Sequence, residues 1–310
     1  MDDPLVSIVT PSYNQGRFLE ATICSVLEQD YPNIEYIVID GGSRDESLDI
    51  LRRYGARLTY WESQPDRGQA HAVNKGLARA RGEILGWLNS DDLLAPGAVR
   101  RAVQTFRDHP EVDVVYGRLA RIDEAGRLIP TPILPKDRLE FGRAHVIGEC
   151  IVNQPGSFWR RRAMQQVGGL DERLIYSLDY EFWIRMALAG MRFKRLEAVM
   201  AYFRLSSSSK TVGQIAAMAV EQFRTLEELL AQPDLASRLG LTKSQAHQQA
   251  RLARARIALR AAYGYARLRQ WKQMWDWLNV ALRNDPLALF EKRYLDLALA
   301  SLQRRLRRIR

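Results

Sequence analysis

Residues 82–92 read Gly-Glu-Ile-Leu-Gly-Trp-Leu-Asn-Ser-Asp-Asp. The apolar run from Ile84 to Leu88 stops abruptly at Asn89, Asp91 and Asp92. A run of this length that ends in polar residues suits a buried parallel strand whose C-terminal end opens onto a site. Two adjacent carboxylates there repel one another, so the pair is costly unless a positive charge sits between them. A divalent cation carrying a diphosphate would supply that charge. Oxygen ligands shared with substrate phosphates are the usual setting of Mg²⁺ or Mn²⁺. The competing reading is a helix start, with Asp92 as N-cap and Pro96 in the first turn of a helix running to about Phe106.

The elements around this stretch follow from periodicity. Leu5 to Thr10 is an apolar strand broken by Pro11, and a loop through Gly16 leads to an amphipathic helix from Phe18 to Leu27. Ile34 to Asp40 is a second strand, followed by the Gly41-Gly42-Ser43 turn and a helix from Glu46 to Tyr54. Leu58 to Glu62 is a third strand, leading through Pro65-Asp66-Arg67-Gly68 to a helix from Gln69 to Ala80. Four such strand–loop–helix units predict a right-handed, mostly parallel sheet flanked by helices. Ligands bind beyond the C-terminal strand ends of these sheets. Thr10, Asp40, Asp66 and Asp91 all fall on that rim.

Val112 to Tyr116 and a hairpin around residues 123–127 continue the sheet. Residues 136–156 form a long connection suited to acceptor recognition. Phe158 to Arg160 is a short strand, and Ala163 to Val167 a short helix. Asp179 precedes a helix from Tyr180 to Ala189, and Phe193 to Leu196 and Val199 to Phe203 read as two last strands. From Gln214 the character changes to helices: Ile215 to Leu230, a long Ala- and Arg-rich helix N-capped by Thr242, Gln270 to Leu282, and Leu287 to Ile309. These boundaries predict an α/β domain over residues 1–210 and a helical extension over residues 211–310.

With 310 residues and 46% hydrophobic content, the chain can build a full core. No apolar run reaches the ~18–20 residues that span a bilayer. The acidic start (Asp2, Asp3) is unlike a secretory signal. Cys24 and Cys150 show no zinc or redox spacing, so a reducing cytoplasm is the expected compartment. The net charge is +10, yet residues 251–310 hold 15 of the 46 Lys/Arg and only 4 of the 36 Asp/Glu. The basic character therefore belongs to the tail.

The pattern as a whole resembles glycosyltransferase family 2, with the GT-A fold. The carrying segments are Val9-Thr10-Pro11-Ser12-Tyr13-Asn14, residues 39–45, Pro65-Asp66-Arg67-Gly68, residues 88–92 and residues 177–183, in the family's order. Within the family it looks like the bacterial members that build O-antigen, capsule or other exopolysaccharide. The resemblance implies a nucleotide-sugar donor, UDP favoured, held by Thr10, Pro11, Tyr13, Asn14, Asp40, Gly42, Ser43, Asp66, Arg67, Lys75, Asn89 and Ser90. It implies a divalent metal, Mg or Mn, on Asp91 and Asp92, with Asp179 as the base that activates an acceptor hydroxyl, and inversion at the anomeric carbon. The residue types suit these roles, since an ionised acceptor such as Asp40 makes a strong hydrogen bond to a base N–H.

Each position also has a plain structural reading. Asp40 is a turn residue, Asp66 an N-cap for the helix at Gln69, Asp179 an N-cap for the next helix, and Arg67 and Lys75 are solvated charges. Three residues depart from the family. Asn89 stands where an Asp is frequent, Leu178 replaces an acidic residue, and Ser206 takes the position of a His. These departures keep open a catalytically weak domain that binds nucleotide sugars or docks to a partner. The acceptor is expected to be a saccharide or a lipid-linked molecule. Leu299, Leu302, Leu306 and Ile309 form one face of a basic helix, which suits either an anionic membrane at the inner face of the cell membrane or packing on the protein itself. No nucleic acid is expected, since no recognised reader module occurs.

Overall fold

The computed structural model describes residues 3–130, 152–206 and 214–287. The chain divides into two units, residues 1–142 with 150–206 and residues 143–149 with 207–310. Cys150, residues 136–151 of the expected connection and residues 288–310, where a basic terminal helix is expected, lie outside the described residues.

In the first unit, β1 (Val6–Ser12), α1 (Gly16–Leu27), β2 (Ile34–Asp40), α2 (Ser47–Tyr54), β3 (Tyr60–Ser63), α3 (Gln69–Arg79) and β4 (Ile84–Trp87) follow one another. β1 pairs in parallel with β2 and β4, and β2 with β3. The later elements are β5 (Leu93–Leu94), α4 (Ala98–Asp108), β6 (Val114–Ile122), β7 (Leu128–Ile129), β8 (Phe158–Arg160), α5 (Arg161–Val167), α6 (Leu178–Leu188) and β9 (Phe193–Arg204). The nine-stranded sheet runs β3-β2-β1-β4-β8-β6-β9-β5, with β7 hairpinned on β6. β8 is antiparallel to β4 and β6, so the sheet is parallel in its first half and mixed in its second.

The two-residue period of the strands divides the core into two layers. Val6, Ile8, Tyr36 and Val38 pack with Leu19 and Ile23 of α1, Leu51 of α2 and Val99 of α4. Val9, Ile37, Ile39 and Trp87 pack on the opposite face with Val73 of α3 and Phe182, Trp183 and Met186 of α6. The Trp159 ring meets Phe182 at 5.5 Å and Trp183 at 5.7 Å, both edge-on, which anchors α6. Such aromatic pairs each add ~0.5–1.5 kcal/mol beyond area burial.

Three elements differ from the periodicity reading. Asp92 is not an N-cap: Leu93 and Leu94 pair with Tyr202 and Ala201 of β9, and α4 starts only after Gly97, whose φ is +74°. The two expected last strands are one, β9, with register shifts against β6 between Tyr116 and Leu119. Ser177 flanks α6 at its N-terminus, so Asp179 sits inside the first turn rather than capping it.

The described part of the second unit is helical: α7 (Ile215–Leu230), α8 (Leu235–Arg238), α9 (Lys243–Arg267) and α10 (Trp271–Asn284). Thr242 opens α9 with a full capping box, its hydroxyl accepting the Gln245 N–H and the Gln245 side chain accepting the Thr242 N–H. Gly264 lets α9 approach α7, since a Cβ there would lie 2.5 Å from the Ala216 nitrogen. Ala258, Leu259 and Ala262 pack against Met274 and Leu278 of α10. Among the described residues no helix is long and apolar enough to cross a membrane.

Candidate active site

The C-terminal ends of β1 and β2 carry two loops that clasp each other. Asn14 adopts a left-handed conformation (φ 51°), its backbone N–H donating to the Ser43 hydroxyl at 2.7 Å and its side-chain Oδ1 accepting the Arg44 N–H at 2.9 Å. Asp45 closes the clasp by accepting the N–H groups of Gly16 and Ser47. Burial alone would raise its carboxyl; the Ser47 hydroxyl and these N–H groups outweigh burial and lower it. Tyr13 at the tip is 61% exposed. Pro11 is buried beside Ile39 within β1.

Asp40 lies under this clasp, fully buried. Its Oδ2 accepts from the Gly42 and Ser43 amides and the Ser63 hydroxyl, at 3.1, 2.8 and 2.7 Å, and its Oδ1 accepts the Ser43 hydroxyl at 2.5 Å. A carboxylate has about two lone-pair sites on each oxygen, so Oδ2 is saturated by three donors while Oδ1 carries one. Asp40 here holds the turn in which Gly42 takes φ +82°. Thr10 lies in β1 at the base of the 13–16 loop. Its side chain shares the Tyr36 face of the sheet and pairs with the Tyr36 hydroxyl at 3.1 Å in the core, so it does not face the loops.

The 89–92 turn is held from several sides. The Asn89 side-chain Oδ1 accepts from Gln69 Nε2 and Trp87 Nε1, both at 2.8 Å, and its Nδ2 donates to Gln154 Oε1 at 3.0 Å. This amide is fully engaged and leaves no oxygen for a cation. Ser90 is buried, and Thr22 of α1 donates to the carbonyls of Ser90 and Asp92 at 2.9 and 2.8 Å. Asp92 is fully buried; its Oδ1 accepts the Arg204 N–H at 3.0 Å and its Oδ2 has no hydrogen-bond partner. Burial and then the neighbouring Asp91 charge push its carboxyl well above the ordinary range. Asp91 is half-buried, and its carbonyl accepts the Arg204 Nε–H at 2.9 Å. Two adjacent hard oxygen donors, one with an orphaned oxygen, fit a divalent cation whose other positions are filled by phosphates. Among the described residues no group of three or more His, Cys, Asp or Glu could hold a metal by itself.

Asp66 does not cap α3, which begins after Gly68 at φ +111°. Its Oδ1 accepts the Gly68 N–H at 2.8 Å, and its carboxylate lies against Gly41, where a Cβ would meet Oδ2 at 2.8 Å. The Asp40 and Asp66 loops therefore touch. Arg67 pairs with Glu172 at 2.5 Å on the surface. Lys75 is ion-paired with Glu62, the latter only 10% exposed, so it is already neutralised and does not stand ready for a diphosphate. Asn74 fixes the segment before α6 by bonding both the N–H and the carbonyl of Leu170. Leu178 packs with Trp87 and Trp159, which anchors the helix turn carrying Asp179 in the layer beneath β4. Gln69, Gln154, Thr22 and Arg204 are the positioning residues that periodicity does not reveal.

Against solved structures, the chain is similar to Staphylococcus aureus TarS bound to UDP-GlcNAc, with a TM-score of 0.56 and 18% identity over 89% of this chain and 90% of that one. It is also similar to a mannosyltransferase of Pyrobaculum calidifontis bound to GDP-Man and Mn²⁺, with a TM-score of 0.61 and 21% identity over 94% of this chain and 89% of that one. The fold is thus that of the GT-A glycosyltransferases. Residues 7–168 match the model of Glycosyl transferase family 2, and the chain belongs to that family. An uncharacterized glycosyltransferase of Mycobacterium tuberculosis is 34% identical over 191 residues, 60% of this chain and 70% of that protein. One of Rickettsia felis is 28% identical over 221 residues, 67% of this chain, which spans only 36% of that relative's length.

Proposed function

We propose that the chain transfers a sugar from a nucleotide-sugar donor to a hydroxyl of a saccharide or lipid-linked acceptor, with inversion. The observation that carries this reading is the joining of separated segments along one sheet edge: the 13–16 and 42–47 loops clasp, Asp66 rests on Gly41, and Gln69 of α3 bonds Asn89. The exposed Tyr13 ring offers a stacking face to a base. The Ser43 and Ser63 hydroxyls can rotate to free a lone pair of Asp40 for a base N–H. Arg67, more exposed than Lys75, can leave Glu172 for a phosphate, since surface ion pairs of this kind are worth about 0–1 kcal/mol.

Asp91, with Asp92 Oδ2, would hold a divalent cation, which when bound offsets charge on the nucleoside-diphosphate leaving group. In the transfer, the acceptor oxygen bonds to the anomeric carbon and its proton passes to the Asp179 carboxylate. The bond to the diphosphate oxygen breaks, and that oxygen leaves with the electron pair. One in-line displacement inverts the configuration.

The test screens UDP-, GDP- and dTDP-sugars by thermal shift, with and without MnCl₂, and then follows nucleoside-diphosphate release. A Mn²⁺-dependent shift and release with one donor class supports the reading, because a ligand that binds only the native state raises its stability. No shift with any of them overturns it. Docking of the basic tail on an anionic membrane belongs to the same reading, and vesicle co-sedimentation tests it.

A further inference from the structure

Arg204 ends β9 with only 3% of its surface exposed. Its backbone N–H donates to Asp92 Oδ1 and its Nε to the Asp91 carbonyl, while one terminal nitrogen donates to the carbonyls of Asp123 and Glu124 at 3.0 and 3.2 Å. The guanidinium carbon lies 4.8 Å from the centre of the Phe18 ring, a cation–π distance. The neighbouring Arg17 ties the same hairpin to α1 by pairing with Glu124 at 2.7 Å.

Buried arginines are costly, and a bonded carboxylate ordinarily offsets that cost. The side-chain bonds of Arg204 go instead to neutral carbonyls. They fix the guanidinium in place without a carboxylate bonded to it, so that its charge acts on Asp91 and Asp92 and, from the hairpin, on Asp123. We infer that Arg204 is a positioning residue for the Asp91–Asp92 pair. It locks the backbone of that turn to the 123–124 hairpin and provides a resident positive charge that holds two repelling carboxylates together. The inference rests on the reading that this pair holds a divalent cation. Lysine cannot replace it, because an ammonium is a point charge without the planar fork that reaches two turns at once.

The test compares wild type with R204K, R204M and the milder F18L. Amide hydrogen exchange is measured on the free protein, and UDP and GDP are titrated calorimetrically with and without MnCl₂. In R204K and R204M, exchange should quicken together at residues 90–94 and 124–127, with β1 and β2 unchanged. The Mn²⁺ concentration for half-maximal nucleotide binding should rise about tenfold or more, while metal-free binding stays within about twofold, as for loss of an outer-shell partner of a metal site. F18L should move both readouts the same way by less, and it decides the matter if the Arg204 variants do not fold. A folded R204K with wild-type exchange at both turns overturns the clamp. Loosened turns with unchanged Mn²⁺ dependence overturn its role toward the cation. Wild type that binds neither nucleotide, or binds without regard to Mn²⁺, overturns the proposed function instead, and the exchange data still decide the clamp.

Discussion

Replacing Asp92 with Asn should stabilise the free protein at neutral pH while weakening the proposed metal-dependent release of nucleoside diphosphate. Asp92 is fully buried beside Asp91, with Oδ2 unpartnered, and the Arg204 N–H and charge recover only part of that cost. Its carboxyl is raised in the folded state, so the native protein binds this proton more tightly than the unfolded chain does. The contribution is therefore fully present below the unfolded value near about 3.9 and is lost as pH climbs toward the raised folded value. Each pH unit within that window costs about 1.4 kcal/mol. Asn has no proton to lose, and its Oδ1 still accepts the Arg204 N–H. The stability difference between D92N and wild type should therefore grow steadily in the variant's favour as pH rises from about 4 toward neutrality. Urea unfolding in EDTA at stepped pH measures it. Mn²⁺-dependent nucleoside-diphosphate release should fall at least about tenfold in the same variant, because a ligand oxygen is gone. A D92N protein less stable than wild type at pH 7, or a difference that is flat with pH, refutes the reasoning.

D179N should lower turnover by about 10²–10⁴-fold, the range for loss of a general base, while donor titrations stay near wild type. E35Q should cost about 1–3 kcal/mol at pH 7. Glu35 is 3% exposed, and although burial pushes its carboxyl up, the Ser7 hydroxyl and the Arg81 amide and guanidinium hold it below its ordinary value. That stability is present above the unfolded value near about 4.3 and lost as pH falls through the lower folded value, so the gap between E35Q and wild type should close in acid. T242A should cost the helical unit about 1 kcal/mol by removing the cap, read as faster exchange in the first turn of α9, with donor binding unchanged.

Local signals made much of the fold legible. Thr242 and Gln245 announce a helix start within four residues, and Phe158 to Arg160 announce a strand by composition. Ile215 to Leu230 shows its helix by apolar spacing, and Pro233 closes off the run that follows it. What stayed hidden is what distant partners create. Leu93 and Leu94 are a strand only because β9 lies alongside, more than 100 residues later in sequence. Asp92 reads as a helix cap in sequence because its true partner, the Arg204 N–H, has no sequence neighbourhood in common with it. Gln69 and Gln154 carry no motif, and their work at Asn89 depends on three elements meeting at one turn. Lys75 illustrates the converse: a basic residue at a helix position suited to phosphate is held by Glu62, which the strand reading did not pair with it.

A crystal structure of the chain with a UDP- or GDP-sugar and MnCl₂, with anomalous data collected at the manganese edge, tests the central claim most directly. We expect one anomalous peak ligated by Asp91 and diphosphate oxygens, with the base lying over residues 11–14 and 40–43. A nucleotide seated elsewhere, or a manganese peak away from Asp91 and Asp92, would contradict the claim that these separated segments build one donor site.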